Sequence, residues 1–255
     1  MRFLNIFSIA KHSLLEQYRG KSFTLFVMFA GVILYSSMLI GVMAVEEEKR
    51  VITDFGLALM ELMAMAFIVF SAGSAVSREM ESKTIYLILT RPVTRLEYLL
   101  GKILSLFFSS LFMLAVMSVL HLSLIYLRGF SVSGIYFAIV FCIWLKLIII
   151  TSITFFISSF STSLISTMSI SVILWMLGHF VSETKFLVER TKGGSFWFIK
   201  AVAYLIPNMQ IYNMRDMAEA FGRTSISWIH LFGYAFAWTA LSFIFTFILF
   251  RKKEF

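Results

Sequence analysis

The 255-residue chain has one cysteine, two prolines and few charges, and these shortages narrow what it can be. Cys142 lies inside an apolar run with no second cysteine to join it, which excludes an intrachain disulfide and a thiolate metal cluster. Charged residues make up 14% of the sequence while hydrophobic ones make up 60%, and the mean hydropathy is +0.90. A soluble domain carries roughly 25% charged residues, so this is an integral membrane protein. The apolar runs lack the strict alternation of barrel strands, which leaves a helical bundle, because backbone groups in lipid must be satisfied within each segment. No Ser-His-Asp, zinc-protease or paired-carboxylate arrangement stands out, and this argues against an intramembrane enzyme. An ATPase motif is missing too. Gly20-Lys21-Ser22 has the end of a phosphate loop, but Leu15 stands where the first glycine belongs and no strand precedes it.

Six runs are long enough to cross a hydrocarbon core that needs about 20 apolar residues: Phe23–Val45, Phe55–Ser77, Ile103–Leu127, Ser133–Ile157, Thr162–Val181 and Trp228–Phe250. The expected fold is all-α, a single transmembrane domain over 1–255 with these six spans. Residues 1–20 place Phe3, Phe7, Ala10, Leu14 and Tyr18 at helical spacing, with Arg2, Asn5, Lys11, His12 and Arg19 mostly elsewhere on the wheel. That pattern predicts an interfacial helix lying on the membrane. A formal charge of +8 invites a nucleic-acid reading, but the cations sit at the ends of apolar runs, where they meet headgroups and set orientation. Cations cluster before the first span, in 78–102 and in the tail at Arg251, Lys252 and Lys253. Placing all three clusters in the cytoplasm requires an even number of spans, which puts both termini inside. Residues 46–54 then form a short acidic outer loop, and 182–227 a longer extracytoplasmic segment. Within the latter, the apolar stretch before Pro207 is expected to lie at or dip into the outer leaflet.

The stretch 78–102 is a charged island between two apolar runs. Arg78, Lys83, Arg91, Arg95 and Lys102 stand with Glu79, Glu81 and Glu97 around a short apolar core at Ile85 to Leu89. A tether would be polar and rich in Gly and Ser instead. Thr94-Arg95-Leu96-Glu97 reads as a capping box that starts the third helix just after Pro92. Upstream, Ser82 to Leu89 spans about two helical turns with Ile85, Ile88 and Leu89 on one side, a knob for a groove on another protein.

These residues carry a resemblance. The pattern Arg78-Glu79-x-Glu81-x-Lys83-Thr84, then Leu87-x-Leu89-x-Arg91-Pro92-x-x-Arg95-x-Glu97, ending Leu100-Gly101-Lys102, is similar to the loop before the third span in ABC-2 type transporter permeases. It looks most like the branch that includes permeases for nitrous oxide reductase maturation and for gliding motility. The resemblance implies a six-span permease subunit of an inner-membrane exporter. ATP and Mg would be bound by a separate ABC ATPase subunit, two copies of which serve two permease copies or one copy and a homologue. No cofactor would be held by this chain. Arg78, Glu79, Glu81, Lys83, Thr84, Ile85, Leu87, Ile88, Leu89, Arg91, Pro92 and Arg95 would then be the ATPase-coupling residues. Two rival readings share this architecture: a mechanotransmitter that passes ATP-driven motion to an extracytoplasmic partner at 182–227, and a membrane scaffold without transport.

Within the spans, Glu61 and Lys146 are costly in lipid, each by about 3 kcal/mol on insertion scales, and so mark a polar path for substrate or a structural pair. Counted from the starts of the apolar runs, Glu61 lies about 9 Å deep and Lys146 about 20 Å. On that count a direct pair needs a shift or snorkelling. His121, His179 and His230 map near outer span ends, and with Met209, Met214 and Met217 they have the donor types of a soft-metal site without metal spacing. The Ser and Thr residues dense in 151–171 suit close helix packing.

Overall fold

The protein is described here by a computed structural model covering residues 2–43, 47–81, 93–161, 163–190, 197, 200, 204–214 and 227–252. Seven helices account for most of these residues, and no strand occurs among them. They are α1 (Arg2–Arg19), α2 (Lys21–Met43), α3 (Glu48–Glu81), α4 (Arg95–Leu127), α5 (Ile135–Ser158), α6 (Leu164–Arg190) and α7 (Trp228–Lys252), with a short 3-10 turn at Met209–Tyr212. The last six are long and apolar enough to cross a membrane, in agreement with the six runs.

Helix α1 ends at Gly20, where the chain turns at once into α2, and its partner is the base of α4. The side of α1 turned to the bundle is Ile6, Ile9, Ala10, Ser13 and Gln17, while Phe7 of the sequence-derived stripe is exposed. Close approach selects this face. A Cβ on Gly101 would meet Ile9 Cβ and Cγ2 at 2.8 Å and the Ile6 carbonyl oxygen at 3.1 Å, so the α1 backbone crosses α4 at a position where glycine is required. Phe7 is left for lipid.

Helices α3 and α5 form the centre of the bundle. Their spans are 67% and 72% buried, against 17% for α2 and 22% for both α6 and α7. Ile68, Val69 and Ala72 of α3, and Leu147, Ile149 and Ile150 of α5, belong to one apolar core with Leu106 and Met113 of α4. The peripheral helices keep apolar faces outward, such as Leu25, Met28 and Phe29 on α2 and Ile244, Phe245 and Ile248 on α7. Hydroxyls bond back along the central and neighbouring helices, as in Ser152 Oγ to the Ile148 carbonyl and Ser171 Oγ to the Thr167 carbonyl, each at 2.8 Å. Their polarity is thereby satisfied locally and the helices approach closely.

Two outer boundaries differ from the expected ones. Residues 48–54 are not loop but the first turns of α3, carrying Glu48 where the helix dipole favours a carboxylate and the Arg50–Asp54 pair at i, i+4 and 3.8 Å. Glu48 is also held by Arg128 at the far end of α4. Likewise 182–190 continues α6 rather than opening the extracytoplasmic segment. In both cases the helix outlasts the apolar run because charged residues that the membrane core rejects are good helix formers at its edge.

Candidate functional site

At one end of the bundle the three cation-bearing regions meet. Thr94 is the N-cap of α4. The Glu97 backbone N–H donates to Thr94 Oγ1 at 3.2 Å and the Thr94 N–H donates to Glu97 Oε2 at 2.9 Å, so the capping box forms as the spacing predicts. One residue on, Arg95 Nη1 donates to the carbonyl oxygens of Phe250 at 3.1 Å and Arg251 at 3.0 Å. Those carbonyls belong to the last turn of α7, which has no N–H donors for them within the helix and favours a cation. Tyr98 stacks on Phe250 at 5.7 Å just above. On the neighbouring face of α4, buried Lys102 donates to Ser13 Oγ of α1 at 3.3 Å, and Gln17 Nε2 donates to Ser105 Oγ at 3.4 Å. Tyr18 packs against Phe23 and Phe112 at 5.2 and 4.5 Å, and burial pushes its phenol up to about 12, so it stays neutral.

Helices α3 and α4 therefore bracket residues 82–92. Residues 82–92, which include Lys83, Thr84, Ile85, Leu87, Ile88, Leu89, Arg91 and Pro92, lie outside the described residues, and of Arg78, Glu79 and Glu81 only their place on the last turns of α3 is described. Arg95 is directed to α7 and so joins two elements of the chain itself.

Deeper in the bundle, Lys146 Nζ donates to Glu61 Oε1 at 2.8 Å, with both side chains under 5% exposed. The shift expected from the apolar runs is unnecessary. Helix α3 starts at Glu48 and α5 at Ile135, which places Glu61 about 20 Å and Lys146 about 17 Å from the first residues of their helices. A third group joins them: His179 Nε2 lies 3.2 Å from Glu61 Oε1 and 3.4 Å from Lys146 Nζ. Its Nδ1 lies 2.9 Å from the Trp175 carbonyl oxygen, and the two rings are 4.5 Å apart. His179 is well inside because α6 runs on to Arg190. This third member was missed by treating it as an outer span end; the available signal was that an ionisable ring within an apolar helix needs a partner. The triad ties α3, α5 and α6 together.

The remaining outer groups do not converge. His121 is buried against α5, with Nδ1 3.1 Å from Tyr136 Oη and Nε2 3.2 Å from the Ile52 carbonyl oxygen. His230 is exposed, and Met217 lies outside the described residues. No cluster of three His, Cys, Asp or Glu residues occurs among the described residues. Met209 and Tyr212 are buried in the 3-10 turn, which closes onto α6 where a Cβ on Gly178 would meet Met209 Cγ and the Pro207 carbonyl oxygen at 2.8 Å. Tyr212 Oη donates to the Leu231 carbonyl oxygen at 2.9 Å. The chain after Pro207 is thus packed into the end of the bundle opposite Arg95, while most of 191–203 lies outside the described residues.

Comparison with known families matches residues 7–255 to the one described as ABC-2 family transporter protein. No curated protein matches the chain.

Proposed function

This chain belongs to the ABC-2 transporter family and is the permease part of an ABC transporter, and from that premise we propose that it is an exporter subunit driven through residues 78–95. The observation that supports this reading is the joining of α1, the start of α4 and the end of α7 at one end of the bundle by Lys102–Ser13 and Arg95–Phe250. A partner pressing on 82–92 would push on α3 and α4 together. Helix α3 carries Glu61, which is bound to Lys146 of α5 and His179 of α6, so displacement at the coupling end would be felt at the buried triad as a rigid-body movement. The partner is a separate ABC ATPase subunit, two copies serving a pair of permeases. The positive-inside rule then puts this end and both termini in the cytoplasm of a cell with an inner membrane. Glu61 and Lys146 line the substrate path in this reading, and the pattern of 78–102 carries the finer likeness to the maturation and gliding-motility branch. In this reading the cargo is lipid-like or amphipathic.

Lysine crosslinking in native membranes tests the coupling. A P-loop ATPase is expected attached at Lys83 and not at Lys102, which is buried against Ser13. Replacing Glu79 and Glu81 by Ala should leave the spans inserted and release or uncouple the ATPase; ordinary coupling in that double variant would refute the assignment of the segment.

A further inference from the structure

Within the buried triad, the two ring nitrogens of His179 have different surroundings. Nδ1 lies 2.9 Å from the Trp175 carbonyl oxygen, which only accepts, so this nitrogen carries a hydrogen. Nε2 is the variable atom. It stands 3.2 Å from Glu61 Oε1 and 3.4 Å from Lys146 Nζ. A neutral ring presents a lone pair at Nε2, which accepts from the Lys146 ammonium and is repelled by the carboxylate oxygen. A ring with a second proton donates to Glu61 Oε1 and is repelled by Lys146. The two contacts are therefore alternatives, and a single proton selects between them. His179 is also the member of the triad that a proton from outside can reach, its side chain being 24% exposed against 4% for Glu61 and 2% for Lys146.

We infer that His179 is a proton-operated switch, which fastens α6 to α3 through Glu61 when charged and to α5 through Lys146 when neutral. Uptake forms one N–H bond at Nε2 with a proton taken from water, and the three groups together pass from neutral to singly positive. No other bond is made or broken covalently. The charged groups facing the ring are Glu61 of α3 and Lys146 of α5. Other titratable groups stand further off: buried Cys142 one turn before Lys146 on α5, buried Tyr212 of the 3-10 turn, and exposed Glu183 one turn beyond His179 on α6. Against α6 the 3-10 turn itself places Met209, which carries no charge, on Gly178. Helix α3 runs on to Glu81, immediately before 82–92, so the charged state ties α6 to the helix that leads to the coupling segment. The neutral state leaves α6 on the central helix α5. The inference rests on the geometry of the triad and is independent of the cargo and of the direction of transport.

Two measurements on the purified full chain test this switch. Deuterium exchange at the imidazole carbon, read by mass spectrometry, should show His179 changing protonation state between about pH 5 and about pH 9. Nitroxide labels then follow the helices, in a Cys142→Ser background with Ile173→Cys on α6 paired with Phe55→Cys on α3 or with Phe137→Cys on α5, all three being exposed positions. Acidification across the His179 transition is expected to shorten the 55–173 distance and lengthen the 137–173 distance, each by about 1–2 Å, the size of a helix shift. His179→Gln, whose amide gains no proton in this range, should hold both distances constant. Lys146→Met removes the competing contact and should move the transition to higher pH. Should that variant fail to fold, the labelled chain with and without His179→Gln still decides the matter. A His179 exchange rate that ignores pH, distances that stay fixed through its transition, or the same movement in His179→Gln would overturn the switch.

Discussion

Lys146 Nζ and Glu61 Oε1 stand 2.8 Å apart in the middle of the bundle, each side chain almost wholly shielded, and His179 Nε2 joins the same carboxylate oxygen at 3.2 Å. Three helices are held by one shared atom. In a low-dielectric interior the attraction is strong, but so is the penalty for losing either partner.

Removing one charge should therefore be far worse than removing both. Lys146→Met or Glu61→Met alone is expected to lower stability by about 3–5 kcal/mol, while the double Met variant should recover most of it. Thermal unfolding of the detergent-purified single and double variants gives the comparison. A loss in the double variant equal to the sum of the two single losses would mean that the pair is not coupled. A double variant that is stable yet inactive in transport would place the pair on the substrate path.

Arg95 closes the last turn of α7. Arg95→Ala should free the Phe250 and Arg251 carbonyls and lower the local stability of that end by about 1–2 kcal/mol, charged hydrogen bonds being worth 1.5–3 and the group being only half-buried. Amide exchange should rise in the last turns of α7 and hardly change in α5. Unchanged exchange near residue 250 would show that the clamp carries no weight.

Gly101 sets how closely α1 lies on α4. Gly101→Val is expected to push α1 off, break the Lys102–Ser13 contact and cost about 1–3 kcal/mol through overpacking. Limited proteolysis gives the readout, with cleavage after Lys11 or Arg19 expected to become faster in the variant. Protection equal to that of the unaltered chain would rule out the close crossing.

Some of these features are local in sequence and were legible there. The Thr94–Glu97 box is closed by residues three apart, and six spans follow from six apolar runs whatever they pack against. Other features depend on helix ends that apolarity does not mark. Glu61 and Lys146 lie at about the same depth only because α3 begins at Glu48, before the membrane core starts, and His179 reaches them only because α6 continues past Val181 to Arg190. Charged residues such as Glu48, Lys49 and Arg50 end an apolar run without ending a helix, so depth counted from the run is displaced by about 10 Å.

By itself the sequence determined that the chain is a six-span helical membrane protein, because lipid requires each span to satisfy its own backbone and excludes charge from its centre. Tertiary structure decided which side of α1 faces the bundle, where Arg95 is directed, and that Glu61 takes both Lys146 and His179. Those outcomes depend on the rotation and offset of whole helices against one another, and these follow from close contacts such as Ile9 on Gly101 and Met209 on Gly178, between residues far apart along the chain.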